Sequence, residues 1–437
     1  MKGKNLIILA VVAAVLVAAA LWRTRKGEEA PPDLIGKPVL SELPVNDISK
    51  LVVVSPNNTA TLVRAESGWV AADRFNYPAE FSKIKETLLK LSNLKIGQIV
   101  EAEPNQRAAM KMLSPTEAGV TNKAQAGTLV DLYGPANKLV ASILIGDSRH
   151  RKPKEGGPMG YGAYPDGQYI SPDKGRSVYL ITENLFELRD DPREWLDKEL
   201  LNVSASDLTD IAITGPNRTE VHLARTNESA NLDLAGLGAK EEADSAKVSS
   251  VSAGLGWLRF EDVANPALTP QQTGLDTAVV FRAVTKTGEV YTVKIGKAED
   301  GTQNRYLRLE AAFQPVKEEP KPAAATSEKK EDEKAVADKK AAERKQIEEH
   351  VKAFNQKFGS WTYLVASYKT DALTTPRDQI AKAKVDTSTN AVPAVATSPA
   401  PSPAPAVAVA APPSPVPPPP APAAAGTNAP AKTEVKK

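Results

Sequence analysis

Few residues in this chain are of a type and spacing that could do chemistry. Arg149, His150, Arg151, Lys152 and Lys154 form one basic cluster. Such a cluster could grip an anionic lipid head group, polymer or protein partner; the plainer alternative is a solvated loop. Asp190-Asp191-Pro192-Arg193-Glu194-Trp195 sets two carboxylates side by side, as a cation site would need. Gly156-Gly157-Pro158-Met159-Gly160-Tyr161-Gly162 is glycine-rich, but no helix follows it, so a phosphate cradle is not expected. Asp47 and Asp207 each stand just before a strand-like run and are followed by Ser49 or Thr209. Turn or capping hydrogen bonds account for them better than acid–base catalysis.

Composition narrows the chemistry further. The 437 residues include no cysteine, which excludes disulfides, thiolate metal sites and cysteine nucleophiles. The three histidines, His150, His222 and His350, are far apart in sequence, against a histidine-rich metal site. Lysine plus arginine (55) nearly balances aspartate plus glutamate (53), so no global field favours nucleic acid. No Walker loop, Gly-x-Ser-x-Gly elbow, His-Glu-x-x-His helix or dinucleotide fingerprint is present. The expectation is a protein that is not an enzyme, with no cofactor and no metal.

The elements that would position these residues occur twice. Asp47-Ile48-Ser49-Lys50-Leu51-Val52-Val53-Val54-Ser55-Pro56-Asn57 returns as Asp207-Leu208-Thr209-Asp210-Ile211-Ala212-Ile213-Thr214-Gly215-Pro216-Asn217, at a constant offset (207 − 47 = 160). Apolar residues alternate in both, the mark of a half-buried strand. Further matches follow in order: Leu113-Ser114-Pro115 with Leu268-Thr269-Pro270, Ile145-Gly146 with Ile295-Gly296, and Tyr179-Leu180-Ile181 with Tyr363-Leu364-Val365. Pro192-Arg193 returns as Pro376-Arg377, but Thr374-Thr375 replaces the paired acids, and the basic cluster has no counterpart. Both are therefore features of one copy. The spacing predicts two tandem α+β modules, each an antiparallel sheet with a packed helix. In the first, strands are expected at 51–55, 59–65, 68–70, 94–100, 128–133, 139–145, 168–171 and 177–182. A helix over 79–92 would have Phe81, Ile84, Leu88 and Leu91 on its apolar face.

The second copy carries a charged insert at about 315–352, ending in an amphipathic stretch through Ile347, Val351, Phe354 and Phe358. It reads as a solvated arm with a docked foot. Residues 6–22 are an unbroken apolar run, long enough as a helix for a thin bilayer core, with Lys2 and Lys4 before it and Arg23, Arg25 and Lys26 after. A single-pass anchor is expected; a cleaved leader is the competing reading, since Ala18 and Ala20 could supply a cut site. The basic head followed by an apolar core favours the N-terminus inside and the bulk of the chain outside the cytoplasm. The expected organisation is a head at 1–5, anchor at 6–22, linker at 23–44, modules at 45–200 and 201–380, and a proline- and alanine-rich tail at 381–437 that would tend toward polyproline II.

The order of these motifs, with Gly68-Trp69, Ile145-Gly146-Asp147, Leu188-Arg189-Asp190 and Trp195-Leu196-Asp197-Lys198-Glu199-Leu200-Leu201, resembles the bacterial family catalogued as domain of unknown function 4340 over about residues 45–380. The resemblance implies a membrane-anchored α+β protein of the bacterial cytoplasmic membrane and envelope. It also implies association with transport systems of the ATP-binding-cassette kind, some likened to gliding-motility components, and supplies no catalytic residues. The charged insert and proline-rich tail depart from the family pattern. The expected role is a transporter accessory or scaffold touching the bilayer through 6–22 and transporter subunits through its modules. The alternative is an extracytoplasmic ligand- or polymer-binding module with a cleft between the two repeats, where Trp69, Trp257 or Trp361 would be expected.

Overall fold

Alternation sets the sheets. In β1 (Lys50–Val54) Leu51 and Val53 are fully buried while their neighbours are half-exposed, and in β2 (Thr59–Ala65) Ala60 and Leu62 repeat the pattern. A computed structural model describes residues 34–117, 120, 122–150, 165–227, 230–315 and 330–384, with the side chains of 330–337 left aside. It is mixed α and β, with large antiparallel sheets and few helices.

The first sheet adds β3 (Gly68–Ala71), β4 (Tyr77–Pro78), β5 (Gln98–Val100), β6 (Thr128–Tyr133), β7 (Leu139–His150), β8 (Pro165–Ser171) and β9 (Val178–Ile181), in the order β4-β3-β2-β1-β6-β7-β8-β9-β5. The segment read as one strand over 94–100 is strand only at its end. Leu94 and Ile96 are buried there, and Lys95 instead bridges Pro38. Helix α1 (Phe81–Asn93) buries Ile84, Leu88 and Leu91 as expected, but Phe81, the first residue of the helix, is 61% exposed.

The second sheet comprises β11 (Leu208–Thr214), β12 (Val221–Arg225), β13 (Leu232–Leu234), β16 (Asp262–Val263), β17 (Val279–Thr285), β18 (Glu289–Ala298), β19 (Asn304–Phe313) and β20 (Tyr363–Ala366). Its order is β13-β12-β11-β17-β18-β19-β20-β16. Four short strands lie outside both sheets: β10 (Glu199–Leu201) pairs with β15 (Leu258–Arg259), and β14 (Glu241–Ala243) pairs with β21 (Ala381–Ala383). Helix α2 (Ser245–Ser252) is capped by Asp244, whose carboxylate accepts from the Ala246 and Lys247 amides. The N–H of Asp244 donates to Ile380 O at 2.7 Å, and the N–H of Glu80 before α1 donates to Trp195 O at 2.8 Å. Each helix start is thus tied to the segment that closes its own sheet.

Packing moves the expected domain edges. Val39 and Leu40, placed in the linker by the sequence, are 8% exposed, and the Val39 amide donates to Leu94 O. Folded chain therefore begins by residue 34, because a strand-like segment is needed to cover the end of α1. The two sheets share one continuous core. At their seam Tyr77 of β4 meets Phe260, Trp361 and Tyr363, with ring centroids 5.3, 5.0 and 6.0 Å away in edge-on arrangements. Arg74 binds Asp262 and Lys357 binds Asp197 across the same seam.

Helix α3 (Lys330–Phe358) is longer than the amphipathic stretch suggested. Its C-terminal end docks on β18 and β19 through Phe354, stacked edge-on to Tyr291, and through Phe358. Residues 338–346 are exposed and carry the i, i+4 pairs Lys339–Glu343 and Arg344–Glu348. Among the described residues no helix is long and apolar enough to cross a membrane. Residues 381–383, placed in the tail by the sequence, form β21 against β14; the expected anchor at 6–22, the glycine-rich loop at 156–162 and the rest of the expected tail from 385 lie outside the described residues.

Candidate functional site

The basic cluster is only partly described. Arg149, near the end of β7, binds the Asp166 carboxylate at 3.0 Å and the Gln98 side chain at 3.1 Å, so its guanidinium is spent on holding neighbouring strands. His150 sits opposite Pro165; Arg151, Lys152 and Lys154 lie outside the described residues. The paired acids diverge. Asp191 caps the 3-10 turn Pro192–Trp195 and takes two side-chain hydrogen bonds from Arg193, while Asp190 turns the other way, onto Ser55.

Hydrogen bonds from Arg193 hold the Asp191 carboxyl below its ordinary range, against the opposing effect of burial. A depressed folded pKa contributes stability above the unfolded value, about 3.9, and that contribution is lost as pH falls through the folded value. Asp191→Asn keeps a capping side chain but removes the charge. It should cost on the order of 0.5 kcal/mol at neutral pH and flatten the acid limb of stability, read from urea unfolding between pH 6 and pH 3. An unchanged acid limb would show that Asp191 does not contribute.

Asp47 and Asp207 close 3-10 turns rather than aim at a cavity. The residues after them act alike: Ser49 Oγ donates to Gly134 O at 2.7 Å, and Thr209 Oγ1 donates to Val284 O at 3.2 Å, each stitching a sheet's first strand to its neighbour.

The geometry draws attention elsewhere, to the same corner of each sheet. In the first, Ser55 opens the β1–β2 turn, accepts from the Asn57 and Asn58 amides, and donates to Asp190 Oδ2 at 2.5 Å. This latch borders a cavity of about 350 Å³. In the second, Arg218 in the β11–β12 turn reaches over Gly215 and donates to Thr374 O at 2.9 Å, beside a cavity of about 540 Å³. Arg218 stands 160 positions after Asn58 and Thr374 stands 184 after Asp190, the two offsets of the sequence match. Each floor is a glycine where a connecting segment crosses the strand with no room for a side chain. A Cβ on Gly146 would lie 2.4 Å from Met112 Sδ, and one on Gly296 2.2 Å from Thr273 O.

The two corners differ in charge. Lys111, Lys123, Asp147 and Asp190 line the first; Lys111 pairs with Asp147 at 3.3 Å and the corner is balanced. Arg218, Lys297 and Arg305 line the second against the single carboxylate of Asp371. The residue after the floor glycine makes much of the difference, being Asp147 in one and Lys297 in the other. The sequence match contained that exchange; Arg218 and Arg305 reach the same corner only through the sheet's register.

With these corners in place the chain can be compared with known proteins. Residues 69–278 match the family described as Domain of unknown function (DUF4340). The resemblance carried by the motif order therefore holds over this span. The DUF4340 match runs from β3 through α2 to just before β17, so it crosses from one sheet into the other. No curated protein matches the chain. No solved structure matches it either.

Proposed function

We propose that this DUF4340-domain protein is a non-enzymatic, membrane-anchored envelope protein, an accessory or scaffold component of an ATP-binding-cassette, gliding-like transport system. The observation that carries the proposal is the apolar run at 6–22, flanked by Lys2 and Lys4 and by Arg23, Arg25 and Lys26. Eleven residues, 23–33, separate it from Leu34, which packs against the shared core. Fully extended they reach roughly 40 Å. The body would therefore sit within reach of the extracytoplasmic faces of integral membrane partners.

The body itself is read as two copies of one module. Its support is the strand order: β3-β2-β1-β6-β7-β8-β9-β5 runs parallel to β13-β12-β11-β17-β18-β19-β20-β16, position for position. The helix-start ties at Glu80 and Asp244 repeat as well. A rigid pair suits a scaffold. Against the alternative of a cleft between repeats stands the seam itself, filled by Tyr77, Phe260 and Tyr363, all buried. Trp69 is buried, Trp361 packs on Tyr77, and Trp257 projects into solvent, so the tryptophans form no common binding wall.

The test is an affinity pull-down of the full-length protein from detergent-solubilised native membranes, with a version lacking 1–26 as control. Transporter subunits should copurify with the anchored form and fall sharply with the control. If the protein leaves the membrane on carbonate extraction, or if no transporter subunit copurifies, the proposal is wrong.

A further inference from the structure

We infer that the basic corner of the second sheet is a binding site for a phosphate group presented by a small phosphomonoester or a lipid head group. The inference goes beyond scaffolding and stands independently of any transporter partner. Its first support is charge. Three cationic side chains from three different elements, Arg218 of the β11–β12 turn, Lys297 of β18 and Arg305 of β19, line one cavity of about 540 Å³. Among the described residues Asp371 is the one carboxylate lining it, which leaves the corner about two charges positive. A phosphomonoester carries about −1.5 to −2 charges near neutral pH, so the match is close to neutralisation.

The second support is availability. Arg218 spends one guanidinium nitrogen on Thr374 O, an arrangement that fixes the group while leaving its other N–H donors for a ligand. The side chains of Lys297 and Arg305 make no hydrogen bond or ion pair among the described residues. This contrasts with the usual surface pattern in this protein, where Arg74, Arg149, Arg193 and Arg377 each pair with a carboxylate. Ser367 and Thr277 add hydroxyls to the same lining. An arginine fork with further cations around it is the usual means of holding phosphate oxygens.

The third support is the internal control. The matching corner of the first sheet also ties its first turn to the later segment, through Ser55 and Asp190, and has the same glycine floor, yet its charges cancel, with Asp147 standing where Lys297 stands. The architecture does not by itself require a positive corner. The second copy differs from the first in just the residues an anion would meet.

The experiment is calorimetric titration of the full-length protein in neutral-lipid nanodiscs with glycerol 3-phosphate, and co-sedimentation of the same nanodisc-held protein with phosphatidylcholine vesicles containing phosphatidic acid. Lys297→Asp copies the first corner, and Arg305→Gln removes a second cation; both positions are solvent-accessible, so folding should be retained and is checked by thermal unfolding. Lys123→Asp in the first corner serves as control. Saturable binding to either probe that weakens at least about tenfold in Lys297→Asp and in Arg305→Gln, but not in Lys123→Asp, supports the site. Binding of the soluble ester alone identifies a free phosphomonoester as the source; binding of the vesicles alone identifies a lipid. No saturable binding of either probe, or binding that all three variants share equally, overturns the inference.

Discussion

Replacing Tyr77 by alanine should lower the stability of the folded body by about 3–5 kcal/mol, a large fraction of what a domain of this kind possesses. Tyr77 is fully buried and meets three rings from the second half of the body: Tyr363 of β20, Phe260 just before β16 and Trp361 just before β20. Truncation removes the buried ring and three edge-on contacts, each contributing about 0.5–1.5 kcal/mol beyond area alone. The surrounding rings are held by β20 and by the segments leading into β16 and β20, so they have little freedom to collapse into the gap. Tyr77→Phe should cost far less, about 1 kcal/mol, because it keeps the ring and loses the hydroxyl, which donates to Asp197 O at a long 3.5 Å and interacts with Tyr363. The measurement is urea unfolding followed by fluorescence and by far-ultraviolet circular dichroism. Equal losses in the alanine and phenylalanine variants would remove the seam from this account.

The seam also decides cooperativity. With Tyr77 in place the two sheets share one core and should unfold in a single transition. In Tyr77→Ala the remaining ties are the Arg74–Asp262 and Lys357–Asp197 pairs and the short β10–β15 ladder. Partly exposed pairs of this kind contribute only about 0–1 kcal/mol each. Two separable transitions are therefore expected in the variant.

Much of this architecture was legible in the sequence because strand alternation survives without knowledge of neighbours. The runs at 51–55, 59–65 and 128–133 are β1, β2 and β6 almost residue for residue. The strand order was not legible, because β5 pairs with β9 about eighty positions later and β16 with β20 about a hundred. Periodicity reports which face is buried, not against what. Phe81 shows the same limit: its spacing fits the helical face, but it is exposed at the helix's first position. The basic corner lay half in view. The exchange of Asp147 for Lys297 could be read from aligned copies, whereas Arg305 joins it only because β19 lies beside β18 in a register set by a hairpin. The cluster at 149–154 drew attention by sequence density, yet its described arginine already has a carboxylate partner.

The second large effect concerns the arm. Phe354→Ala should free α3 from the second sheet at a local cost of about 3–4 kcal/mol while leaving the unfolding midpoint of the rest of the body nearly in place. Phe354 is 7% exposed and packs on Tyr291 and Phe358 with centroids 5.5 and 4.8 Å away. Beyond it the helix holds on by little: Val351 and Ile347 are half-buried, and His350 meets Glu289 at 2.7 Å on an exposed edge. Asn355 adds two hydrogen bonds to the backbone of Ala311, but these follow from the docking that Phe354 provides. An isolated helix this rich in charge is marginal in water, so the undocked arm should lose helicity rather than swing as a rod. Hydrogen exchange checks this directly. Amides from about 338 to 352 should exchange roughly a hundredfold or more faster in the variant, while those of β17 and β18 stay protected. Faster exchange spread equally over β17, β18 and β19 would instead make Phe354 part of the sheet's own core, and the arm would then be an integral layer of the second module rather than a docked appendage.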